Sequence, residues 1–295
     1  MNDIYRIDKA RVRASFGRAA EAYDDAAILQ KEVRERMLGR LDFVKIAPQT
    51  ILDAGCGTGH ASIALAKRFA ASRVISLDIA LGMLKKAQGS PAGLKSRISR
   101  MLGLSSQNLV CADIENLPLA ANSVGLVWSN LAMQWCNDLD LAFTETHRVL
   151  QPGGLLMFST FGPDTLKELR QAAAADPEHV HVSRFIDMHD IGDALIRAGF
   201  SAPVLDVEHF VLTYDDVISV MRDLKAIGAN NAAEGRRRGL EGKGFLRKLT
   251  ESYERFRRDG KLPATFEVVY GHAWKPESKP QMADGSVPIT IHHRK

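Results

Sequence analysis

The stretch Ile51-Leu52-Asp53-Ala54-Gly55-Cys56-Gly57-Thr58-Gly59 constrains the fold more than any other part of the chain. A short apolar run leads straight into glycines at alternate positions, and a helical pattern begins near Ala61. Glycine lets backbone approach a ligand where a Cβ would clash. The free N–H groups at the start of the following helix then face that ligand. The dinucleotide fingerprint G-x-G-x-x-G, counted from Gly55, calls for a small residue at position 60, where His60 stands. The spacing is instead G-x-G-x-G, with an acid two residues ahead of it. The triphosphate loop G-x-x-x-x-G-K-S/T is missing from the chain, which disfavours a nucleotide triphosphatase.

Further apolar runs follow at Arg73–Leu77, Asn108–Cys111, Val124–Ser129 and Leu155–Thr160, with helical patterns between them from near Ala61, Leu81 and Leu139. Strands alternating with helices imply a parallel sheet covered on both faces. Asn122-Ser123 and Pro152-Gly153-Gly154 mark tight connections just before strands. Upstream, residues 26–45 read as an amphipathic helix on Leu29, Val33, Met37, Leu41 and Val44, ended by Pro48. Downstream, Asp187–Phe200 reads as a helix stopped at Gly199. Pro203–Leu212 and Ala264–Trp274 read as two last strands, with a helical, strongly basic stretch between them. The expected fold is α/β: a seven-stranded, mostly parallel sheet with helices on both faces and a helical, basic cap inserted between the last two strands. The expected divisions are an N-terminal helical lid (1–48), the α/β core (49–212), the cap (213–262), the last core strand (263–275) and a loose tail (276–295).

Charge sharpens this division. The chain carries 39 Lys and Arg against 35 Asp and Glu, a net of only +4, which argues against a nucleic-acid-coated surface. Residues 1–212 are −1 and residues 213–295 are +5, while the segment 236–261 alone is +6. The three cysteines, Cys56, Cys111 and Cys136, lie far apart without C-x-x-C spacing, so neither a disulfide scaffold nor a metal site is expected. The N-terminus has no apolar secretory core, and no apolar run approaches the roughly 18 residues of a membrane span. A cytoplasmic protein with no membrane partner is expected.

Asp78 closes the second apolar run, and a carboxylate there can accept from both hydroxyls of a ribose. Asp113 follows the third, with apolar Ile114 beside it, a pairing suited to an exocyclic amine and a purine face. Each acid alone could equally be a helix cap. Three acids at successive strand ends beside one glycine loop favour a ligand site, since ligands of open α/β sheets bind at the strands' carboxyl ends.

With these residues the sequence resembles the class I S-adenosylmethionine-dependent methyltransferases. Leu52–Gly59 matches their first motif, Asp78 their ribose acid, Ala112-Asp113-Ile114 their adenine turn, and Arg148–Gly154 the turn before their fifth strand. The resemblance implies S-adenosyl-L-methionine as cofactor, held by Asp53, Gly55, Gly57, Gly59, Asp78, Ile79, Asp113, Ile114 and Asn130.

The flanks resemble one family within that class, the malonyl-acyl-carrier-protein O-methyltransferases of biotin synthesis. The matching stretches are Ser15-Phe16-Gly17-Arg18-Ala19-Ala20 with Tyr23, Ser129–Trp135, Phe161-Gly162-Pro163-Asp164-Thr165-Leu166, Phe185–Asp193, Arg236–Leu240 and Leu262–Tyr270. The family methylates the free carboxylate of a malonyl thioester, hiding its charge so that fatty-acid elongation enzymes accept the chain. The resemblance implies malonyl-acyl-carrier protein or malonyl-CoA as partner. A mitochondrial relative, an assembly factor thought to hydroxylate an arginine, shares the FG-x-DTL and PAT segments. The N-terminal residues show no Arg- and Ser-rich pattern of a mitochondrial presequence and the glycine loop is intact, so the bacterial enzyme is the expected one.

A carboxylate is ionised near neutral pH, its group titrating around 4. It needs no general base to attack a methyl sulfonium, so alignment and desolvation should carry the reaction. A cation is needed to hold the carboxylate, and arginine's fork suits it. Arg184 is the expected holder, against the alternatives of a solvated arginine or an ion pair with Asp187. Tyr23 is expected to close a lid over the cofactor, or else to pack between helices. Gln134 and Trp135 follow the fourth strand and are expected at the reaction centre, Trp135 with plain core as its alternative. His60 is expected to cap or face the loop helix, with contact to the cofactor as its alternative, Cys56 is small enough for the loop, and Arg11, Arg13 and Arg18 read as a solvated face.

The cap's charge suits a phosphopantetheine arm and an acidic carrier protein, docking on Arg236, Arg237, Arg238, Lys243, Arg247 and Lys248, although a charge run is most often a solvated helix face. Nucleic acid is not expected, because the basic residues lack the aromatic interleaving of single-strand binders. Two other readings stand beside the carboxyl methyltransferase: a methyltransferase for another small carboxylate, and a cofactor-binding assembly factor or arginine-modifying protein acting on a protein partner.

Overall fold

The computed structural model describes residues 5–89, 108–175, 182–229, 232–235 and 243–277. The N-terminal arm is α1 (Lys9–Ala19) and the single turn α2 (Tyr23–Ala26), followed by α3 (Ile28–Arg40), which tightens into a short turn at Leu41–Phe43. Then come β1 (Thr50–Ala54), α4 (His60–Arg68), β2 (Arg73–Asp78), α5 (Leu81–Gly89), β3 (Asn108–Cys111), β4 (Val124–Asn130), α6 (Leu139–Val149) and β5 (Leu150–Phe161). The chain continues through α7 (Lys167–Ala172), α8 (Met188–Arg197), β6 (Ser201–Tyr214), α9 (Val217–Ala226), α10 (Lys243–Glu254) and β7 (Leu262–Trp274).

The strands form one sheet in the order β3-β2-β1-β4-β5-β7-β6. All neighbours are parallel except β7, which runs antiparallel to both β5 and β6. This is the mostly parallel seven-stranded sheet expected from the alternating pattern. Successive side chains of a strand point to opposite faces, so strands buried on both sides read as unbroken apolar runs. Ile51, Leu126 and Leu155 join one core with Leu29, Val33 and Met37 of α3 and Leu65 of α4. Leu52, Val127 and Leu156 join the other with Phe143 of α6 and Ile191 and Leu195 of α8.

Short polar residues start several helices by accepting a backbone N–H that would otherwise be unpaired. Asp138 accepts from Leu141 N (2.9 Å) at α6, Asp187 from His189 N (2.8 Å) at α8, and Asp216 from Ser219 N (2.7 Å) at α9. Asp187 thus caps its helix and bonds His189 rather than Arg184.

Three expectations need correction. The helix expected over 26–45 stops at Arg40, because the chain tightens into a short turn ahead of Pro48. Strand β5 begins at Leu150, not after Gly154. Leu150 pairs with Val124 before the register shifts, and Gly153 N and Gly154 O bond the backbone of Lys275, so Pro-Gly-Gly is an irregularity inside the ladder. The stretch 1–48 also divides, since α3 buries Leu29, Val33 and Met37 against the sheet as a structural cover. Only α1 and α2 remain as the arm. Arg236, Arg237, Arg238 and the tail beyond residue 277 lie outside the described residues.

Candidate functional site

The glycine loop forms because β1 ends against Leu77: the amides of Gly55 and Cys56 both donate to Leu77 O (2.8 and 2.9 Å). Gly57 and Gly59 have φ of +54° and +87°, in the left-handed region that favours glycine. A Cβ on Gly57 would meet nothing within 4 Å, so its backbone faces open space. Asp78, at the end of β2, accepts from Gly57 N (2.9 Å) and from Ala80 N (2.8 Å). Burial pushes its carboxyl up to about 6, against the pull of those two N–H groups.

Gly55, Gly57, Asp78, Ile79, Asp113, Ile114 and Asn130 line one pocket at the strands' carboxyl ends. Asp53 and Gly59 do not line it. Asp53 is 1% exposed below the loop, accepting from the Ser62 hydroxyl at 2.5 Å, and burial raises its carboxyl to about 7. Gly59 starts α4 and stands against Ala87, whose Cβ lies 3.0 Å from where a Cβ would sit. Both were expected to hold the cofactor; the structure places Asp53 beneath the loop and Gly59 at the start of α4.

The arm supplies part of the pocket's wall. Tyr23 and Trp135 line it together with Phe16, and Phe16 meets Trp135 edge-on at 5.2 Å. Burial and the Asp78 charge raise the Tyr23 phenol well above its ordinary range. Helix α1 approaches α5 closely enough that a Cβ on Gly82 would lie 2.8 Å from the Gly17 backbone. Next to Tyr23, Asp24 accepts from Thr58 Oγ1 (2.6 Å) and sits 3.2 Å from His60 Nε2, so these two residues of the loop clasp the arm. Lys9 of α1 also lines the pocket and bridges Asp113 and Glu115. Sequence reading missed Lys9, which meets its acids across 104 positions; Phe16 was visible as part of the Ser15–Ala20 match.

Beside this pocket, of about 70 Å³, lies a wider cavity of about 1100 Å³, and Cys136 lines both. The wider cavity holds Gln134, Thr160, Arg170 and Arg184. Gln134 therefore stands in the second space while Trp135, its neighbour, stands in the first. Gln134 Nε2 donates to Leu131 O (2.7 Å). Arg184 is exposed and is not paired with Asp187, whose carboxylate holds His189.

The donor set fits S-adenosylmethionine. A buried acid beside an open glycine suits a ribose diol, and a second acid beside Ile114 suits an adenine amine and ring. Among the described residues there is no group of three or more metal-ligating side chains, and no helix is long and apolar enough to cross a membrane.

A family model described as a methyltransferase domain matches residues 52–158. A malonyl-acyl-carrier-protein O-methyltransferase of Methylovorus sp. (strain MP688) is 68% identical over 292 residues, covering 99% of this chain and 97% of that protein. The chain belongs to the malonyl-acyl-carrier-protein O-methyltransferase family. The family member of Laribacter hongkongensis is 53% identical across 99% of this chain and 98% of its own, and that of Legionella pneumophila is 37% identical across 90% of each. Among solved structures, YcgJ of Bacillus subtilis superposes with a TM-score of 0.57 at 15% identity, covering 83% of this chain and 100% of its own. At that identity the likeness speaks for the fold alone.

Proposed function

We propose that the chain transfers a methyl group from S-adenosylmethionine to the free carboxylate of a malonyl thioester, giving the methyl ester that starts pimeloyl synthesis for biotin. The observation that carries this is the 68% identity, over nearly the whole length, to an enzyme named for that reaction. Malonyl-acyl-carrier protein is the acceptor, with malonyl-CoA as a smaller alternative thioester, and the setting is the cytoplasm.

Bound in the first pocket, the cofactor supplies a methyl group on an electron-poor sulfur. Asp78 accepts from its ribose, Asp113 from its adenine amine, and Ile79 and Ile114 cover the base. Gly57 gives it room, Gly55 lets the loop pass Ala132, whose Cβ would lie 2.3 Å from a Cβ there, and Asn130 stands on the wall. Tyr23, Phe16 and Trp135 exclude water from the reacting atoms, which strengthens every electrostatic contact there. The acceptor carboxylate enters by the wider cavity, where Gln134 orients it and Arg184 supplies positive charge. No proton has to move, because the nucleophile is already ionised. The residues beneath the loop, Asp53 and Gly59, set the loop's shape. Arg247 and Lys248, exposed on α10, receive the acidic carrier together with Lys243 and the Arg236–Arg238 run.

A methyl-transfer assay with malonyl-acyl-carrier protein, malonyl-CoA and free malonate tests the proposal. Ester formation on the thioesters is expected; transfer to none of the three would refute it. Arg184→Ala is expected to raise the KM for the thioester at least tenfold, and an unchanged KM would remove Arg184 from its role.

A further inference from the structure

The turn Phe161–Leu166 and strand β7 both matched family stretches, yet neither lines the cofactor pocket. They are two halves of one joint. Gly162 N donates to Glu267 O (2.9 Å), and Leu166 N to Thr265 O (2.6 Å). Thr165 Oγ1 donates to Glu267 O (3.0 Å) and accepts from Glu267 N (3.1 Å), while Asp164 N donates to the Glu267 carboxylate (2.6 Å). A Cβ on Gly162 would press on that carboxylate at 2.5 Å. Leu166 is held at φ +54°, a conformation that persists only where surrounding bonds over-determine it. Buried Glu168 adds bonds to both the amide and the hydroxyl of Thr265.

The joint presents two carbonyls to one side chain. Arg170 Nη1 donates to Pro163 O (2.8 Å) and Nη2 to Thr165 O (2.9 Å). These contacts fix the guanidinium without neutralising it and, among the described residues, leave three of its five N–H groups for another acceptor. Among the described residues, four arginines line the wider cavity. Arg197 is spent on Asp140 through a forked pair (2.8 and 3.0 Å), and Arg6 faces Glu234 at 3.9 Å. Arg170 and Arg184 have no carboxylate partner among the described residues. Asp164, the acid that acts on Arg170 through space, is paired with Lys167 at 2.8 Å. Among the described residues Arg170 is therefore a held cation with no carboxylate partner, on a wall shared with Gln134 and Thr160.

We infer that Arg170 is a specificity-determining residue that grips the carboxylate of the malonyl chain, its fork set in advance by the joint between the 161–166 turn and β7. This rests on the malonyl reading above. A fixed fork selects a carboxylate in one orientation, which an unpinned arginine or a lysine does less well. Arg184 adds charge to the same cavity without that fixed direction.

The test is binding of malonyl- and acetyl-acyl-carrier protein in the presence of S-adenosylhomocysteine, since the acetyl form lacks the carboxylate. The wild-type protein is expected to prefer the malonyl form by at least tenfold. Arg170→Gln is expected to reduce that preference to within about threefold, mainly by weakening the malonyl form, with affinity for S-adenosylhomocysteine unchanged. Arg170→Lys, which keeps the charge but loses the fork, is expected to fall between them and guards against a folding defect in the first variant. A preference retained in both variants overturns the assignment. A wild-type protein that shows no preference overturns the malonyl reading itself, and the assignment with it.

Discussion

The Lys9 ammonium lies 3.0 Å from Asp113 Oδ1, joining the first helix of the chain to the acid at the end of β3. The same ammonium meets Glu115, and the Asp113 and Glu115 side chains are 22% and 12% exposed. Glu115 in turn accepts from the amides of Asn137 and Asp138 (3.0 and 2.7 Å), and Asn137 is bonded to the backbone of Ile7. Lys9→Met leaves two neighbouring carboxylates without their counterion. Removing one partner of a buried pair costs up to several kcal/mol; for this partly solvated cluster about 1–2 kcal/mol is expected. Affinity for S-adenosylmethionine should fall about threefold to tenfold, as Asp113 loses its orientation. Chemical denaturation and a binding titration check the two effects separately.

Asp78 ties cofactor binding to pH. Its carboxyl sits at about 6, and in the proposed ribose-binding role only the ionised form can accept from both hydroxyls. Affinity should fall about tenfold per pH unit below that value. Asp78→Asn should lower affinity on the order of 10- to 100-fold at pH 8, the cost of hydrogen bonds to a charged group, and should flatten the pH profile. The folding contribution has the opposite sign. Asp53 at about 7 and Asp78 at about 6 are both raised above the ordinary carboxyl value, so the folded chain holds protons that the unfolded chain releases. Their stabilisation is fully present below the unfolded value, near 4, and is lost as pH rises through 6 to 7. Cofactor-free protein should therefore be more stable at pH 5.5 than at pH 8, by on the order of 2 kcal/mol, and Asp53→Asn should shrink that difference. Melting curves at the two pH values, with and without S-adenosylhomocysteine, read both trends.

The clasp between Asp24 and the glycine loop sets how firmly the arm closes. Phe16 and Tyr23 of the arm stand on the wall of the cofactor pocket, so loosening the clasp is expected to weaken cofactor binding. Asp24→Ala removes the bonds to Thr58 and His60 while leaving Tyr23 in place. The KM for S-adenosylmethionine should rise about threefold to tenfold, consistent with the loss of one charged hydrogen bond of about 1.5 kcal/mol. Steady-state kinetics decide it; an unchanged KM would mean that the arm needs no clasp.

Charge on the cap predicts salt sensitivity. Exposed charge pairs are screened beyond about 10 Å at 0.1 M salt. The KM for malonyl-acyl-carrier protein should rise several-fold between 50 and 300 mM salt, and that for malonyl-CoA much less. The double reversal Arg247→Glu with Lys248→Glu should raise the carrier's KM about threefold to tenfold at low salt and leave malonyl-CoA within about twofold. An equal response of both substrates would remove the cap from docking.

Much of this was written locally. Strands buried on both faces gave unbroken apolar runs, and the pocket acids stand at strand ends, so Asp78 and Asp113 were legible beside the glycine loop. Distance along the chain hid the rest. Lys9 reaches its acids across more than a hundred positions. Arg170 looks like any surface arginine until β7 folds back and fixes the carbonyls that hold it. Asp53 and Gly59 sit inside the recognisable motif, and no local pattern separates a residue that faces the ligand from one that shapes the loop beneath it. Pro152-Gly153-Gly154 carried the signal of a turn and was taken into a ladder by Leu150 and Lys275.

Strand β7 alone runs against its neighbours. Because of that reversal, β6 ends at Tyr214, and β7 begins opposite it at Leu262, on the edge of the sheet where β1, β4 and β5 also finish. Whatever the chain inserts between those two residues must rise from the edge that bears the reaction. A connection there can grow, shrink or change its charge without disturbing the register of a single core strand. If the cap docks the carrier as proposed, the orientation of one strand separates inheritance of the chemistry from choice of the customer: exchanging residues 236–261 for another relative's segment, which keeps the bonds of Ala232 and Ala233 to the arm, should redirect which carrier is served while leaving methyl transfer to a free thioester intact.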